Sequence, residues 1–158
     1  MHRAAQRGRE EVVWLLLEAG ADATVSTPGG VTALHLAALE GDDGSVQMLL
    51  DAGADKDARE KGGVTALYIA AQKGHEEVAR VLLEAGADVN VTNDVNRQTP
   101  LHHAAQWGFE EVARMLVEAG ANITAKDEDG ATPLFLAAKQ GHADVAELLL
   151  DCLEKQLT

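Results

Sequence analysis

Glycines recur at a fixed spacing along this chain, and that spacing constrains the fold more than any other feature. One set lies 33, 33, 34 and 33 residues apart: Gly8, Gly41, Gly74, Gly108 and Gly141. A second set follows twelve residues behind the first four members: Gly20, Gly53, Gly86 and Gly120. We call these two sets the lattice glycines. A period of this length is typical of stacked supersecondary units, and such a solenoid presents a surface rather than an enclosed pocket.

A short phrase recurs once in each of four periods and predicts a helix. It begins with threonine, continues with alanine or proline and then leucine, and ends in two alanines, at 32–38, 65–71, 99–105 and 132–138. Threonine is a favourable N-cap because its hydroxyl accepts from a free backbone N–H of the first turn. Proline fits the first helical position, where no N–H is needed. The lattice glycine that follows suits the left-handed residue that ends a helix.

A second helix is predicted in each period. Apolar residues follow the i, i+3 and i+4 spacing of a helix, for example Val78, Val81 and Leu82. Acidic pairs open these segments, where the helix dipole favours negative charge: Glu10-Glu11, Asp42-Asp43, Glu76-Glu77 and Glu110-Glu111. The polar loop that leads to the next threonine carries a glycine two residues before it, which suits a tight hairpin tip.

Two segments depart from the repeat. Gly44 and Ser45 stand where other units have glutamate and valine, and glycine costs about 1 kcal/mol in a helix interior. We therefore expect the second unit to be a weak point that Gly44→Glu with Ser45→Val would stabilise. The loop from 86 to 99 has one extra residue, and Arg97 replaces the tip glycine, so we expect that loop to differ in shape.

These phrases together resemble the ankyrin repeat over residues 1–151. The resemblance implies an all-α solenoid, which is a stack of helix-turn-helix units with projecting β-hairpin finger loops. We predict a single ankyrin-repeat domain over 1–158, with a partial unit at 1–26 and full units at 27–59, 60–93, 94–126 and 127–158. The last unit lacks the Gly-Ala-Asp ending, and Leu149, Leu153 and Leu157 share one helical face, which predicts a longer final helix.

Composition bounds the class of protein. The formal net charge of −13 argues against binding to nucleic acid or to anionic membrane surfaces. No signal peptide or long apolar run is present. The single cysteine, Cys152, cannot form an internal disulfide, which suits a reducing compartment. We therefore expect a monomeric intracellular protein, cytoplasmic or also nuclear.

The histidines and acids are poor candidates for catalysis or metal binding, because they recur at equivalent positions of the units, where the packing of the repeat explains them. We expect three histidines to bond back to a capping threonine, namely His2, His35 and His102. We expect two others, His75 and His142, to bridge neighbouring units. The adjacent pair at 102 and 103 could suggest a metal site, but neighbouring helix positions point about 100° apart. We expect His103 to be half-buried and neutral. We predict no catalytic residue, no cofactor and no metal site.

Asn90 follows Asp88 and Val89 in the turn after the second helix of its unit. By the resemblance, it matches the position that asparaginyl hydroxylases modify in this family. The alternative is an amide that only stabilises the turn.

Partner binding is expected on the concave face, which by the resemblance is formed by the exposed side of the first helices and by the finger tips. The helix positions are the two residues before each lattice glycine of the first set, and we call them the front: Gln6, Arg7, Leu39, Glu40, Gln72, Lys73, Gln106, Trp107, Lys139 and Gln140. Their residue types vary while the scaffold repeats, which indicates that they face outward. The expected finger contacts are Val31, Val64, Val95, Arg97, Gln98, Glu128 and Asp129.

Trp107 is the expected anchor of this surface, because tryptophan is enriched among binding hot spots. The alternative is that Trp107 covers Phe109 or the next finger within the chain. Trp14 lies on a second helix and would pack on a preceding neighbour or on another copy. The sequence therefore favours a non-enzymatic protein-binding module. An intramolecular structural or autoinhibitory module is the alternative, and an enzyme finds support only in scattered histidines and acids.

Overall fold

Ten helices form two layers in the computed structural model, which describes residues 1–157. The inner layer contains α1 (His2–Gln6), α3 (Ala33–Glu40), α5 (Ala66–Lys73), α7 (Pro100–Trp107) and α9 (Pro133–Gln140). The outer layer contains α2 (Glu10–Glu18), α4 (Asp43–Asp51), α6 (Glu76–Glu84), α8 (Glu110–Glu118) and α10 (Ala143–Leu157). Each inner helix packs against the outer helix that follows it and against the next helix of its own layer. The predicted stack of helix pairs is confirmed.

Threonine caps fix where the inner helices begin. Thr32, Thr65, Thr99 and Thr132 each accept a hydrogen bond from the amide three residues later. In two of these helices a histidine returns the bond, since the Nδ1 atoms of His35 and His102 accept from the backbone amides of Thr32 and Thr99 at 3.1 Å. The Nε2 atoms of the same two rings contact carbonyl oxygens of the next unit. The capping residues therefore also hold neighbouring units together.

Lattice glycines allow an aromatic ring of the next unit to lie directly on the backbone. A Cβ atom built on Gly41, Gly74 and Gly108 would come within 2.8, 2.7 and 2.5 Å of ring atoms of the following unit. Those rings are His75, Phe109 and His142. The Nε2 atoms of His75 and His142 also bond to the carbonyl oxygens of Leu39 and Gln106. The expected bridging role of these two histidines is confirmed.

One continuous apolar core runs through the stack. Leucines of the inner helices and valines and leucines of the outer helices are fully buried, for example Leu34, Leu67, Leu101, Val78 and Val112. The paired alanines Ala37, Ala38, Ala70 and Ala71 are buried without any exposed surface. Small side chains here allow the close helix approach that a solenoid needs, so stability is distributed along the units rather than concentrated in one centre.

The finger loops are turns rather than β-hairpins. Within residues 1–157 the only β-type pairing is an isolated antiparallel bridge between Ser26 and Thr32, so the expectation of β-hairpin fingers is not confirmed. Each loop is closed by one backbone bond between its first residue and the residue before the capping threonine: Thr27 to Val31, Glu60 to Val64, Asn93 to Gln98, and Asp127 to Ala131. A side-chain oxygen of each first residue accepts further amides of its own loop.

Successive loop tips are joined by backbone hydrogen bonds. The amides of Lys61, Asp94 and Glu128 donate to the carbonyl oxygens of Gly29, Gly62 and Asn96, each at 2.8 Å. One bond therefore links each full unit to the next at the finger tips. We call this series the tip ladder.

Helix α4 begins differently from the other outer helices. The Asp42 side chain accepts from the Ser45 amide and from the Ser45 hydroxyl, at 3.0 and 2.6 Å. Ser45 is therefore a buried capping partner, and the expectation that it only lacks a valine is wrong. A Cβ atom on Gly44 would lie 2.3 Å from the Glu10 carboxylate, so Gly44→Glu would place two carboxylates together and is no longer expected to stabilise.

The final helix is longer than the other outer helices, as predicted. Helix α10 has fifteen residues, and Leu149 and Leu153 pack on the core while Leu157 is exposed. No helix in the described part of the chain combines the length and the apolar character needed to cross a membrane.

Candidate functional site

Front side chains lie in the last turn of α3, α5, α7 and α9 and at the end of α1, where Gln6 is the last helical residue and Arg7 is the C-cap. Nine of the ten are exposed, and Gln106 is half-buried. The inner helices pack side by side in chain order, so the front is one continuous strip across the units. The expectation that these positions face outward agrees with the structure, whereas no partner is present to show that the strip binds.

Trp107 is the largest apolar side chain of the front. It is 57% exposed, and the only aromatic ring pair within residues 1–157 is Tyr68 with His103. Phe109 instead packs against the backbone of Gly74. Trp107 is therefore not the cover over Phe109 that the sequence left open. Leu39, 39% exposed, is the second apolar residue of the strip.

The finger at residues 93–98, the third of the four, carries its extra residue as an exposed bulge. The closing bond from Asn93 to Gln98 and the tip ladder bond from Asp94 are both kept, so the insertion falls at Val95, which is 75% exposed. Arg97 has φ +58° and is the only non-glycine residue with positive φ in the described chain. It thus replaces the tip glycine in conformation as well as in position, and this finger differs in shape as predicted.

Gln98 is not part of the exposed surface, contrary to our expectation. It is buried, and its Nε2 donates to Asp127 Oδ2 at 3.1 Å, so it braces two fingers instead of facing a partner. Burial alone would raise the pKa of Asp127, but hydrogen bonds from Gln98 and from the amides of Ala131 and Asp129 outweigh it and lower the pKa. Among the other finger residues, Glu128 and Asp129 are exposed, and Val31 and Val64 are half-buried.

Cations of the two layers differ in their pairing. On the outer layer, Arg80 pairs with Glu77, and Arg114 pairs with Glu110 and Glu111. At the fingers, Arg59 pairs with Asp94. Over residues 1–157 no ion pair involves the front cations, which are Arg7, Lys73 and Lys139. These three cations are therefore free of internal ion pairs in the described residues.

A buried polar cluster joins the third and fourth units beneath the front. Asn93 Nδ2 donates to the Tyr68 hydroxyl at 2.8 Å, and that hydroxyl bonds to His103 Nε2. The second ring nitrogen, His103 Nδ1, is buried and has no partner within residues 1–157. Burial, together with the neighbouring His102, lowers the pKa of His103 to about 4, and burial raises the pKa of Tyr68 to about 12. His103 is more deeply buried than we expected.

This cluster was missed in the sequence although a signal was present. Tyr68 replaces the capping histidine of its unit, and His103 replaces an aliphatic residue one unit later. The two replaced side chains contact each other, since the Tyr68 hydroxyl bonds to the His103 ring. The rings of His102 and His103 diverge to different partners, as predicted from helix geometry. No three histidine, cysteine or acidic side chains within residues 1–157 are placed to hold a metal ion.

Asn90 acts as a turn amide. Its Oδ1 accepts from the Asn122 amide at 2.8 Å and its own amide donates to Asp88 Oδ1 at 2.9 Å, so the side chain links two units while staying exposed.

Two open clefts accompany exposed aromatic side chains. One, of about 470 Å³, lies beside Phe135 and is bordered by Lys139 and Asp129. The other, of about 450 Å³, lies on the outer layer between Trp14 and Met48, next to Glu10 and Glu11. Trp14 is 49% exposed and Phe135 is 55% exposed. Only the first of these clefts borders the front.

Comparison with known proteins agrees with this geometry. The chain matches the profile of a family described as ankyrin repeats, in three copies, over residues 1–93 and 86–158. A search among curated proteins found no match. The matched ranges together extend over the whole sequence. A helix pair occurs in every unit, and a threonine cap occurs in each of the four full units. The chain therefore belongs to the ankyrin repeat family, whose members are generally protein-protein interaction modules and not enzymes.

Proposed function

We propose that this chain is a non-enzymatic module that holds a protein partner on its concave front, with Trp107 as the central contact. The observation that carries the proposal is the exposure of Trp107 at a position where the equivalent residues are polar or charged: Arg7, Glu40, Lys73 and Gln140. When a partner covers a large apolar side chain, apolar surface is removed from water, which lowers the free energy of the complex. Tryptophans in such settings are enriched among the residues that dominate binding energy.

The finger tips extend this surface. Val95 protrudes because the insertion bulges outward, and Arg97 stands next to it on the same tip. Leu39 adds a smaller apolar contact towards the second unit. Rigid, hydrogen-bonded fingers beside a helical strip provide a preformed surface, which lowers the ordering cost of binding.

The experiment compares the two tryptophans. Proteins captured by the purified chain would be identified and their affinity measured by titration calorimetry with Trp107→Ala and with Trp14→Ala as the matched control. We expect Trp107→Ala to weaken binding by at least about 2 kcal/mol, with little change in the unfolding temperature. Trp14→Ala should leave the affinity unchanged. Normal binding by Trp107→Ala, or equal loss in both variants, would contradict the proposal.

The intramolecular alternative predicts a different outcome of the same capture. If the front docks on another domain of a longer polypeptide, the isolated chain should retain no separate protein. A fragment of that polypeptide added in trans should then bind, and Trp107→Ala should release it.

A reducing intracellular location, cytoplasmic or nuclear, and a monomeric state complete the proposal. Supporting observations are the single half-buried Cys152 and the net charge of −13, which disfavours self-association and contact with nucleic acid.

A further inference from the structure

We propose that the partner segment is a chain in the polyproline II conformation that carries one apolar side chain and two acids. The apolar side chain rests on Trp107, and the carboxylates, about three residues to either side, reach Lys73 and Lys139. This inference rests on the proposed function, since it takes the front as the binding surface. It adds the chemistry and the spacing of the segment that binds there.

The spacing follows from the helix packing. Helix α7 lies between α5 and α9 and packs against both. Trp107 and Lys73 occupy the same position, directly before a lattice glycine, while Lys139 lies one residue earlier on α9. Packed helices lie about 8–10 Å apart. A polyproline II chain rises about 3.1 Å per residue with three residues per turn, so residues three apart lie on the same side of the chain, about 9 Å from each other. A segment that crosses the three helices therefore meets a cation about three residues before and after its anchor.

The charge follows from the composition of this stretch. The front positions of the last three units are Gln72, Lys73, Gln106, Trp107, Lys139 and Gln140. They include two cations and no acid, in a chain whose net charge is −13. Neither lysine has an ion-pair partner within residues 1–157, whereas the arginines of α6 and α8 pair with glutamates of their own helices. A partner's carboxylates can thus bind these lysines without breaking an internal pair.

Acids at both limits of the stretch restrict where such a segment can lie. Glu40 holds the Trp107-equivalent position on α3, and Asp129 borders the cleft beside Lys139. Further acidic residues beyond the two lysines would face like charge, which disfavours a shifted register. The favoured ligand therefore carries two separated acids around one apolar residue rather than a continuous acidic run.

Titration of short synthetic peptides by nuclear magnetic resonance tests the proposal, because the two tryptophan indole N–H signals report on the two layers separately. The probe has glutamate three residues before and three residues after a phenylalanine, among serines and alanines. One control peptide has lysine at both acidic positions, and a second has both glutamates adjacent to the phenylalanine. Protein variants are Lys73→Glu with Lys139→Glu and, as a matched charge control away from the front, Arg9→Glu with Lys126→Glu.

We expect the probe to shift the Trp107 signal and not the Trp14 signal, with an affinity at least about fivefold above that of either control peptide at low ionic strength. The preference should shrink as salt screens the charges. The front variant should prefer the lysine peptide, and the matched control variant should behave as the wild type.

Three results would overturn the inference. One is equal affinity for all three peptides, another is unchanged preference in the front variant, and the third is no movement of the Trp107 signal at millimolar peptide. If all three peptides bind with equal affinity and still shift the Trp107 signal, the front remains a binding surface and only the acidic character of the partner is rejected. The proposed function falls separately, if Trp107→Ala binds captured proteins normally.

Discussion

His103 occupies a position that is aliphatic in neighbouring units, where Leu36, Ile69 and Leu136 stand. Its ring is buried, bonded at one nitrogen to Tyr68, and without a partner at the other within residues 1–157. Protonation of this ring would place a charge in an apolar interface, and the pKa of about 4 expresses that penalty. At mildly acidic pH the His103 ring therefore gains a proton only when the interface opens.

We expect acid to destabilise the protein through this ring. The unfolded chain binds the proton below a pKa near 6.5, whereas the folded chain binds it only near 4. The free energy of unfolding is thus unaffected by this ring above about pH 6.5 and falls as the pH drops towards about 4, by on the order of 3 kcal/mol. Burial also lowers the pKa of His35 and of His102, so they act in the same direction.

Urea unfolding at several pH values measures this loss. His103→Leu restores the aliphatic residue and should lose less stability between pH 6.5 and 4 than the wild type does. Equal losses in the two proteins would show that His103 is not the group responsible.

Arg97 has a backbone conformation that suits glycine. At φ +58° a side chain costs about 1–2 kcal/mol, while glycine costs part of that through the entropy of the unfolded chain. We expect Arg97→Gly to raise the free energy of unfolding by about 0.5–1 kcal/mol. Gly130→Ala is the matched control, because Gly130 has φ +79° with no atom near a built Cβ. That variant should lose stability, and a gain in it would contradict the argument.

Residue roles were predictable where one position acts alone. Thr32 caps, Gly41 ends a helix, and Trp107 faces outward, all from their place in the period. The burial of Gln98 was not predictable, because it depends on Asp127 one unit later. The Tyr68 cluster likewise needs three side chains from two units and a finger. Sequence periodicity reveals equivalent positions, but it does not reveal where departures in different units meet.

At the scale of the helix, the first turn of α4 has a stabilising N-cap and also a destabilising glycine. Ser45 donates two hydrogen bonds to the Asp42 carboxylate, one from its amide and one from its hydroxyl, whereas Gly44 adds backbone freedom within the helix. We expect Gly44→Ala to stabilise the protein by about 0.5–1 kcal/mol. The Glu10 carboxylate, which a new Cβ would meet, is the exposed end of a flexible side chain and can move away.

Ser45→Val provides the contrasting measurement. It enlarges the side chain at a fully buried position and removes the hydroxyl bond to Asp42, so we expect it to lower the unfolding free energy by about 1 kcal/mol. Hydrogen exchange of the amides of α4 should slow in Gly44→Ala and quicken in Ser45→Val. The opposite order would show that valine packing outweighs the cap.

Element boundaries were largely contained in the sequence. Capping threonines and lattice glycines define the inner helices, and the acidic pairs define the start of the outer ones. The fingers were predicted less well, since a glycine at the tip indicates a turn but not the number of bonds that flank it. Each finger has one closing bond, which is too few to form strands.

At the scale of the whole molecule, negative charge is unevenly distributed. Four outer helices end in an acid, namely Glu18, Asp51, Glu84 and Glu118, and none of the four has a basic residue in its last turn. Acids near a helix C-terminus oppose the helix dipole, at about 0.3–1 kcal/mol each. Their mutual repulsion in a chain of net charge −13 adds to this cost.

Salt should therefore stabilise the chain. Raising sodium chloride from low concentration to about 0.3 M shortens the screening length, and we expect the unfolding temperature to rise by about 2–4 °C. The triple variant Glu18→Gln, Glu84→Gln and Glu118→Gln should start from a higher temperature and gain less from salt. If salt raises the unfolding temperature equally in the wild type and in the variant, charges other than these three glutamates are responsible for the salt effect. Binding of an acidic partner should respond to salt in the opposite direction.

The tip ladder joins the units through main-chain atoms alone. Lys61, Asp94 and Glu128 contribute their amides to it, so their side chains take no part in these bonds. Changes of these side chains therefore leave the connection between units intact, and the finger at residues 93–98 keeps its tip bonds despite the extra residue at Val95. Under the proposed function, tip side chains can therefore change the chemistry offered to a partner while the main-chain bonds between the units stay in place.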